Sequence, residues 1–164
     1  MKVLKVALLI LLVLFVGIQF IRPEENSGTT DPSSDISAAV AVPDAVGGIL
    51  RESCYDCHSN STRYPWYAGI QPVRWWLEDH IGEAKGQLNF SEFATGSLRR
   101  QYHKLEEISE QVGAGEMPLP SYLILHRDAE LSADQKTLLL RWVEDSRSSM
   151  KARYPVDSLE RRGN

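Results

Sequence analysis

Two cysteines and a histidine lie within five consecutive residues of this chain, in the pattern C-x-x-C-H formed by Cys54, Cys57 and His58. Two thiols at this spacing can form thioethers with the two vinyl groups along one edge of a porphyrin. The histidine that follows is then placed to ligate the porphyrin iron. The spacing therefore predicts one covalently attached haem c, with Cys54 and Cys57 as its attachment points and His58 as the proximal iron ligand.

Three other interpretations of the cysteine pair stay open. A thioredoxin-like redox pair needs a βαβ setting and an exposed thiolate of low pKa, and no strand pattern surrounds Cys54 and Cys57. A structural zinc site needs four nitrogen or sulfur ligands, and the chain has no compact pair of histidines to add to the cysteines. A plain disulfide is the third interpretation. A thiol–disulfide protein without haem is therefore one alternative function.

The sixth iron ligand is predicted to be Met117, within the segment GAGEMPLPSY. Glycines before it and prolines after it favour a loop that can be held rigidly over a haem face. A thioether opposite a histidine also raises the reduction potential. His80, on an aromatic helix, is the alternative sixth ligand. An open or His-ligated position would instead indicate a haem-based sensor or a peroxidase-like protein.

Charged and aromatic side chains complete the predicted cofactor pocket. Two arginines are candidates to pair with the haem propionates, and three aromatic residues are candidates to line the ring, although such residues more often form a plain core. An acceptor in the loop at 64–72 is expected to bind the second ring nitrogen of His58. The predicted pocket residues are Arg63, Arg74, Trp66, Trp76 and Tyr122.

The first 22 residues are basic and strongly apolar. They carry three basic residues and no acid, and the stretch 6–21 has Gln19 as its one polar member. This composition predicts an uncleaved signal anchor in residues 1–22 that forms one transmembrane helix. A cleaved signal peptide is the alternative, but it needs small residues just past the apolar run. The positive-inside rule then predicts a single-pass protein of the bacterial inner membrane, with its C-terminal domain in the periplasm.

The remaining chain predicts a linker and one small helical domain. Pro, Ser, Thr, Gly and Asp dominate the first half of residues 23–42, which predicts a flexible linker. Four helical segments and no convincing strand follow in residues 43–154, and residues 155–164 are predicted to be a polar tail. The fold class is therefore all-α: a cytochrome c-like helical domain around a covalently bound haem, preceded by one N-terminal transmembrane helix.

Composition and charge narrow the function further. The 164 residues include 18 Lys and Arg against 22 Asp and Glu, a net charge of -4, so no binding to nucleic acid is expected. No catalytic acid–base pair or substrate cleft is evident, which favours a one-electron carrier over an enzyme. The expected partners are redox proteins in or at the membrane, and the acidic surface favours basic docking patches on them.

Two segments resemble the haem-binding domain family, small bacterial proteins with an N-terminal membrane segment and a single C-x-x-C-H. The segments are CYDCHSNSTRYPWYAGIQPVRWWLEDHI at 54–81 and GEMPLPSYLILHRDAELSADQKTLLLRWVE at 115–144. The wider resemblance is to class I cytochromes c, in which the first helix crosses the last and a methionine loop precedes the last helix. This resemblance implies that Gly47 or Gly48 lies at a crossing with Trp142. The aromatic PWY loop and the WW helix depart from those cytochromes.

Overall fold

The structure, a computed structural model, describes residues 1–160, and it is built from α-helices and short 3-10 helices. Within that range the β-structure consists of an isolated bridge between Ser27 and Ser61. The all-α part of the prediction therefore agrees with the structure. The 3-10 helices are Trp66–Gly69, Phe90–Thr95 and Arg127–Ala129; the α-helices are α1 (Lys2–Ile18), α2 (Ile36–Ala39), α3 (Asp44–Ser53), α4 (Tyr55–His58), α5 (Val73–Gln87), α6 (Leu98–Ala114), α7 (Pro120–Leu123), α8 (Ala133–Arg153) and α9 (Val156–Leu159).

The N-terminal helix is shorter than the apolar run that contains it. α1 has 17 residues and ends at Ile18, beyond which Gln19 Oε1 accepts the backbone N–H of Gln71 at 2.9 Å. A helix of this length is about 25 Å long, less than the roughly 30 Å of a hydrocarbon core. Among the helices of residues 1–160, none is long and apolar enough to cross a membrane. The predicted transmembrane helix, and with it the predicted single-pass inner-membrane location with a periplasmic domain, is contradicted.

Residues 23–42, predicted as a linker, pack against the helical domain. Ile36 and Val40 belong to its hydrophobic core, and the Asp35 side chain caps α2 by accepting the backbone N–H of Ser37. The side-chain amide of Asn26 donates to the backbone carbonyl of Ser59 at 2.9 Å. Contacts with distant residues, which composition does not reveal, therefore fix this segment.

The centre of the domain is the packing of α6 against α8, and α3 is also in contact with α8. α6 ends at Gly115, whose φ of 76° is a left-handed conformation that glycine adopts without strain. α8 begins with a capping box formed by Ser132 and Gln135. Gly47 is buried on α3 and Trp142 on α8, and α3 and α8 are in contact. A crossing of the two helices at Gly47 or Gly48 stays a prediction. The largest core side chains here include Val46, Leu50, Tyr102, Leu105, Leu139 and Val143.

The C-terminal residues have a polar composition, yet some of them pack into the hydrophobic core. Residues 155–160 of the predicted polar tail include α9, whose Leu159 is buried against the core. Residues 161–164 of that prediction lie outside the described residues. Met150 is also buried, because α8 continues past Trp142 and turns this methionine toward the same core. α6 and α9 are in contact, so residues 156–159 pack against α6.

Candidate functional site

The C-x-x-C-H residues occupy one helical turn. The backbone N–H of Cys54 donates to the Leu50 carbonyl at 2.9 Å and closes α3, and the N–H groups of Cys57 and His58 donate to the Cys54 carbonyl at 3.2 and 3.0 Å. Residues three and four apart lie on the same side of such a turn. The two cysteines are free thiols. The local fold therefore places two thiols and one imidazole in one turn, of which Cys54 and His58 line the cavity beside it and Cys57 does not.

A cavity of about 460 Å³ lies between this turn and α6, and Cys54, His58 and Met117 all line it. This volume is within the range of roughly 300–1,000 Å³ that small-molecule and cofactor sites occupy. The donor set and the volume both fit a haem, because nitrogen and thioether sulfur are its common axial ligands. The remaining wall is apolar at Leu88, Phe90, Ile108 and Val112, and polar at Gln87, Lys104, Glu107 and Gln111.

His58 is held by a backbone carbonyl, but not by one in the predicted loop. Its Nδ1 lies 3.0 Å from the carbonyl oxygen of Leu88, which follows α5. A carbonyl can only accept, so this contact assigns the proton to Nδ1 and leaves the Nε2 lone pair free for a metal. Burial lowers the pKa of His58, and hydrogen bonding to the Leu88 carbonyl opposes this in part. A lowered pKa favours the neutral imidazole, which is the form that ligates iron.

The two thiols are in an environment that suppresses ionisation. Burial raises the pKa of Cys54 to about 12, and burial with the nearby negative charge of Asp56 raises the pKa of Cys57 to about 11. A thiol–disulfide catalyst depends on a thiolate of lowered pKa. The environment of these cysteines is therefore opposite to the one that the thioredoxin-like interpretation requires.

Met117 reaches the cavity from the loop that follows α6. The backbone N–H groups of Glu116 and Met117 donate to the Gln111 carbonyl at 2.9 and 3.3 Å, so the last turn of α6 holds the start of this loop. The Met117 side chain is half-buried and packs against the core. The structure thus brings the predicted sixth ligand to the same cavity as His58.

Lys104 is a cavity residue that the sequence analysis did not single out. Its side chain is only 14% exposed and forms an ion pair with Glu107, and both line the cavity. Among the described residues it is the one lysine or arginine in the cavity wall. The signal was present in the sequence, since the α6 residues of the wall lie at helical spacing: 104, 107, 108, 111 and 112.

The two arginines predicted to bind propionates are engaged elsewhere. Arg63 Nε lies 3.0 Å from Asp56 Oδ1. Arg74 is buried beneath Glu25 at 3.2 Å and Glu78 at 3.5 Å. Neither lines the cavity beside Cys54. Both arginines therefore pair with carboxylates of this chain: Arg63 with the nearby Asp56, and Arg74 with Glu78 and the distant Glu25. The haem propionates were predicted to make these pairings.

The predicted aromatic residues also lie away from that cavity. Trp66 is 84% exposed and Trp76 is 49% exposed. The ring of Trp76 is 4.3 Å from that of His80, and His80 Nδ1 is 2.9 Å from the Trp76 carbonyl oxygen. Tyr122 donates its hydroxyl hydrogen to Asp56 Oδ2 at 2.9 Å. The structure therefore does not bring Trp66, Trp76, Tyr122 or His80 into the wall of the cavity.

A zinc site is not formed in the part of the chain that the structure describes. Residues 1–160 contain no group of three or more His, Cys, Asp or Glu side chains arranged to hold a metal ion. A structural zinc ion needs about four such ligands. The zinc interpretation of the cysteine pair therefore finds no support.

The comparison with protein families defines the class of this chain. The haem-binding domain family matches residues 13–145, from within α1 to within α8. The chain belongs to the haem-binding domain family, and haem is its cofactor. The matched region includes Cys54, Cys57, His58 and Met117. The chain matches no curated protein and no solved structure.

Proposed function

We propose that this protein is a mono-haem c-type cytochrome that carries single electrons between redox proteins. Cys54 and Cys57 would hold the porphyrin covalently, and His58 and Met117 would be the axial ligands of its iron. The observation that carries the proposal is that Cys54, His58 and Met117, from two separate segments, line one cavity. The bound haem would supply a one-electron iron couple.

The chain itself would set the orientation of the proximal ligand. The Leu88 carbonyl fixes the His58 tautomer at Nδ1, so Nε2 needs no proton release before it binds a metal. An oriented histidine also becomes a better donor when its second nitrogen is hydrogen-bonded. Positioning of this kind supports rapid electron transfer, because the ligand does not rearrange between oxidation states.

The cavity wall would set the surroundings of the iron. The apolar side chains of Leu88, Phe90, Ile108 and Val112 in this wall would lower the local dielectric, and a low dielectric favours the iron state with less net charge. Lys104, in place of Arg63 and Arg74, would be the cation that can pair with a haem propionate. Both effects act through this chain's own residues and would raise the reduction potential.

Near-infrared magnetic circular dichroism of the oxidised holoprotein tests the axial assignment. His/Met, His/His and high-spin iron give distinct spectra, and the proposal predicts the His/Met low-spin form. A high-spin ferrous protein that takes up carbon monoxide at once would overturn the electron-carrier proposal in favour of a sensor or a peroxidase-like protein. A His/His spectrum would overturn the assignment of Met117.

A further inference from the structure

Asp56 lies between the two cysteines in the sequence, yet its carboxylate makes its hydrogen bonds outside the cavity wall. It is 9% exposed and is not part of the cavity wall. Its carboxylate accepts the Tyr122 hydroxyl at 2.9 Å, Arg63 Nε at 3.0 Å and Arg63 Nη2 at 3.2 Å. A buried carboxylate is stable only when donors satisfy it in this way.

Tyr122 connects this carboxylate to the segment that carries Met117. It lies in α7, two residues after the end of the MPLP sequence at 117–120. Its ring stacks on His126 with 4.1 Å between centroids and 5° between planes. His126 Nε2 in turn is 2.7 Å from the hydroxyl oxygen of Tyr67 in the PWY loop. The C-x-x-C-H turn, the PWY loop and the segment that follows Met117 (residues 118–126, called the methionine segment) thus meet at one polar cluster.

Few other polar contacts fix the methionine segment. Pro118 and Pro120 have no backbone N–H, and the backbone N–H groups of Tyr122, Leu123, Leu125 and His126 bond within the segment itself. Among the described residues, two side-chain hydrogen bonds join residues 118–126 to distant parts of the chain, Tyr122 to Asp56 and His126 to Tyr67. The backbone N–H of Ala129 also donates to the His126 carbonyl at 3.1 Å. The Tyr122–Asp56 hydrogen bond leads directly to the turn that carries His58.

We infer that the Tyr122–Asp56 hydrogen bond is a clasp that positions Met117 as the sixth ligand, and this inference rests on the proposed function. With the clasp closed, the segment after Met117 is tied to the turn bearing the proximal ligand, so both axial donors belong to one connected unit. With the clasp open, the segment keeps the Gln111 contacts of the residues just before it and the His126–Tyr67 contact near its end, but it loses its hydrogen bond to the turn that carries His58. Tyr122 and Asp56 are therefore positioning residues, which act on the iron only through Met117.

Tyr122→Phe in the holoprotein tests the clasp. It removes the hydroxyl and keeps the ring that stacks on His126, while Arg63 still satisfies Asp56. We expect the far-red sulfur-to-iron charge-transfer band to weaken and ferrous carbon monoxide uptake to rise roughly tenfold, as for loss of a hydrogen bond to a charged group. Covalent haem content should stay the same. Hydrogen exchange of residues 116–126 should also become faster.

Tyr64→Phe is the matched control. Tyr64 also has its hydroxyl in a tertiary hydrogen bond, accepting the Asn26 N–H at 2.6 Å, but it has no contact with the methionine segment. This variant should keep the band, the carbon monoxide uptake and the exchange rates of residues 116–126. Asp56→Asn, which leaves an amide oxygen for Tyr122 but removes the charge, should give a weaker change in the same direction as Tyr122→Phe.

The results separate the clasp from the proposed function. If the parent protein shows the band and Tyr122→Phe leaves either the band or the exchange of residues 116–126 unchanged, the clasp is wrong and the cytochrome proposal stands. If the parent protein carries covalent haem without the band, both Met117 ligation and the clasp are wrong. If the parent protein carries no covalent haem, the proposed function itself fails.

Discussion

His58 Nδ1 lies 3.0 Å from the carbonyl oxygen of Leu88, thirty residues further along the chain. This contact requires a proton on Nδ1 and leaves Nε2 as the free donor. It joins the C-x-x-C-H turn to the end of α5, so the orientation of the imidazole depends on where α5 ends. Leu88 also lines the cavity beside Cys54. One residue therefore both orients the predicted proximal ligand and forms part of its apolar surroundings.

Met117→Leu should abolish sulfur ligation and leave the protein folded. The two side chains have similar volume, so the core contacts of Met117 are largely kept. The far-red sulfur-to-iron band should disappear, ferrous iron should bind carbon monoxide, and the reduction potential should fall because the thioether is lost. Absorption spectroscopy and redox titration measure these effects.

Met150→Leu is the control for that substitution. Met150 is 4% exposed in the core of α8 and does not line the cavity. The same chemical change there should leave the spectrum and the potential intact. A persistent band in Met117→Leu, or an equal loss of the band in Met150→Leu, would contradict the assignment of Met117.

The two thiols should resist alkylation in the folded protein made without haem. Because the pKa values are raised to about 12 for Cys54 and about 11 for Cys57, the thiolate fraction at neutral pH is far below that of an ordinary cysteine. The rate of reaction with iodoacetamide should rise about tenfold per pH unit up to these values. Urea-unfolded protein provides the reference rate. Equal rates in the folded and unfolded protein at pH 7 would show that the thiols are not protected.

The same raised pKa values predict how the stability of this apoprotein changes with pH. The fold favours the protonated thiols, so their contribution is complete below the ordinary cysteine pKa of 9.0 and is lost as pH rises towards about 12. Urea denaturation midpoints at pH 8, 9 and 10 measure the trend, and they should fall above pH 9. A double Cys54→Ala, Cys57→Ala variant should lose this part of the pH dependence. An unchanged slope in the double variant would rule out the thiols as its source.

Lys104→Gln should lower the reduction potential of the holoprotein. Removing the cation leaves the Glu107 carboxylate at the cavity wall with His103 Nε2 at 3.0 Å as its remaining partner, and the lost positive charge favours the more positive, oxidised iron. A unit charge at roughly 10 Å and an effective dielectric constant near 20 corresponds to about 1.7 kcal/mol, a shift on the order of 70 mV for a one-electron couple. Lys151→Gln, which removes a 53% exposed lysine outside the cavity wall, is the control. A potential that is the same in both variants would place Lys104 away from the haem.

Arg74→Met should destabilise the fold without changing the haem spectrum. Arg74 is buried between Glu25 and Glu78, and breaking a buried ion pair costs about 3–5 kcal/mol, towards the lower end here because Glu25 is largely exposed. Arg127→Ala, at a surface pair of 4.0 Å with 77% exposure of the arginine, should cost less than about 1 kcal/mol. Urea denaturation gives both values. A changed haem spectrum in Arg74→Met would restore this arginine as a haem contact.

Local signals in the sequence located much of the scaffold. Pro72 directly precedes α5 at Val73–Gln87, and the Ser132 capping box marks the start of α8, because both signals act within a few residues. The C-x-x-C-H turn and the glycine–proline composition around Met117 led to two segments that line one cavity. These features depend on backbone geometry within a few residues, and the residue types at those positions predict that geometry.

The features that the sequence did not reveal depend on long-range contacts. Arg74 pairs with Glu25, and no pattern near either residue specifies that pairing. The Leu88 carbonyl that orients His58 is a backbone group, so its role leaves no mark on residue types. α1 also ends before the apolar run does, next to the Gln19–Gln71 contact. From the sequence, Glu25 was therefore assigned to a linker, Arg74 to a haem contact, and the N-terminal residues to a membrane span.

Mass spectrometry of the tryptic peptide 52–63 from denatured holoprotein tests directly whether haem is covalently attached to the chain. This peptide contains Cys54, Cys57 and His58 and lies between Arg51 and Arg63. We expect this peptide to carry the mass of one haem after acid–acetone extraction, which removes haem that is not covalently bound. A peptide of unmodified mass, with haem recovered in the extract, would contradict covalent attachment at Cys54 and Cys57.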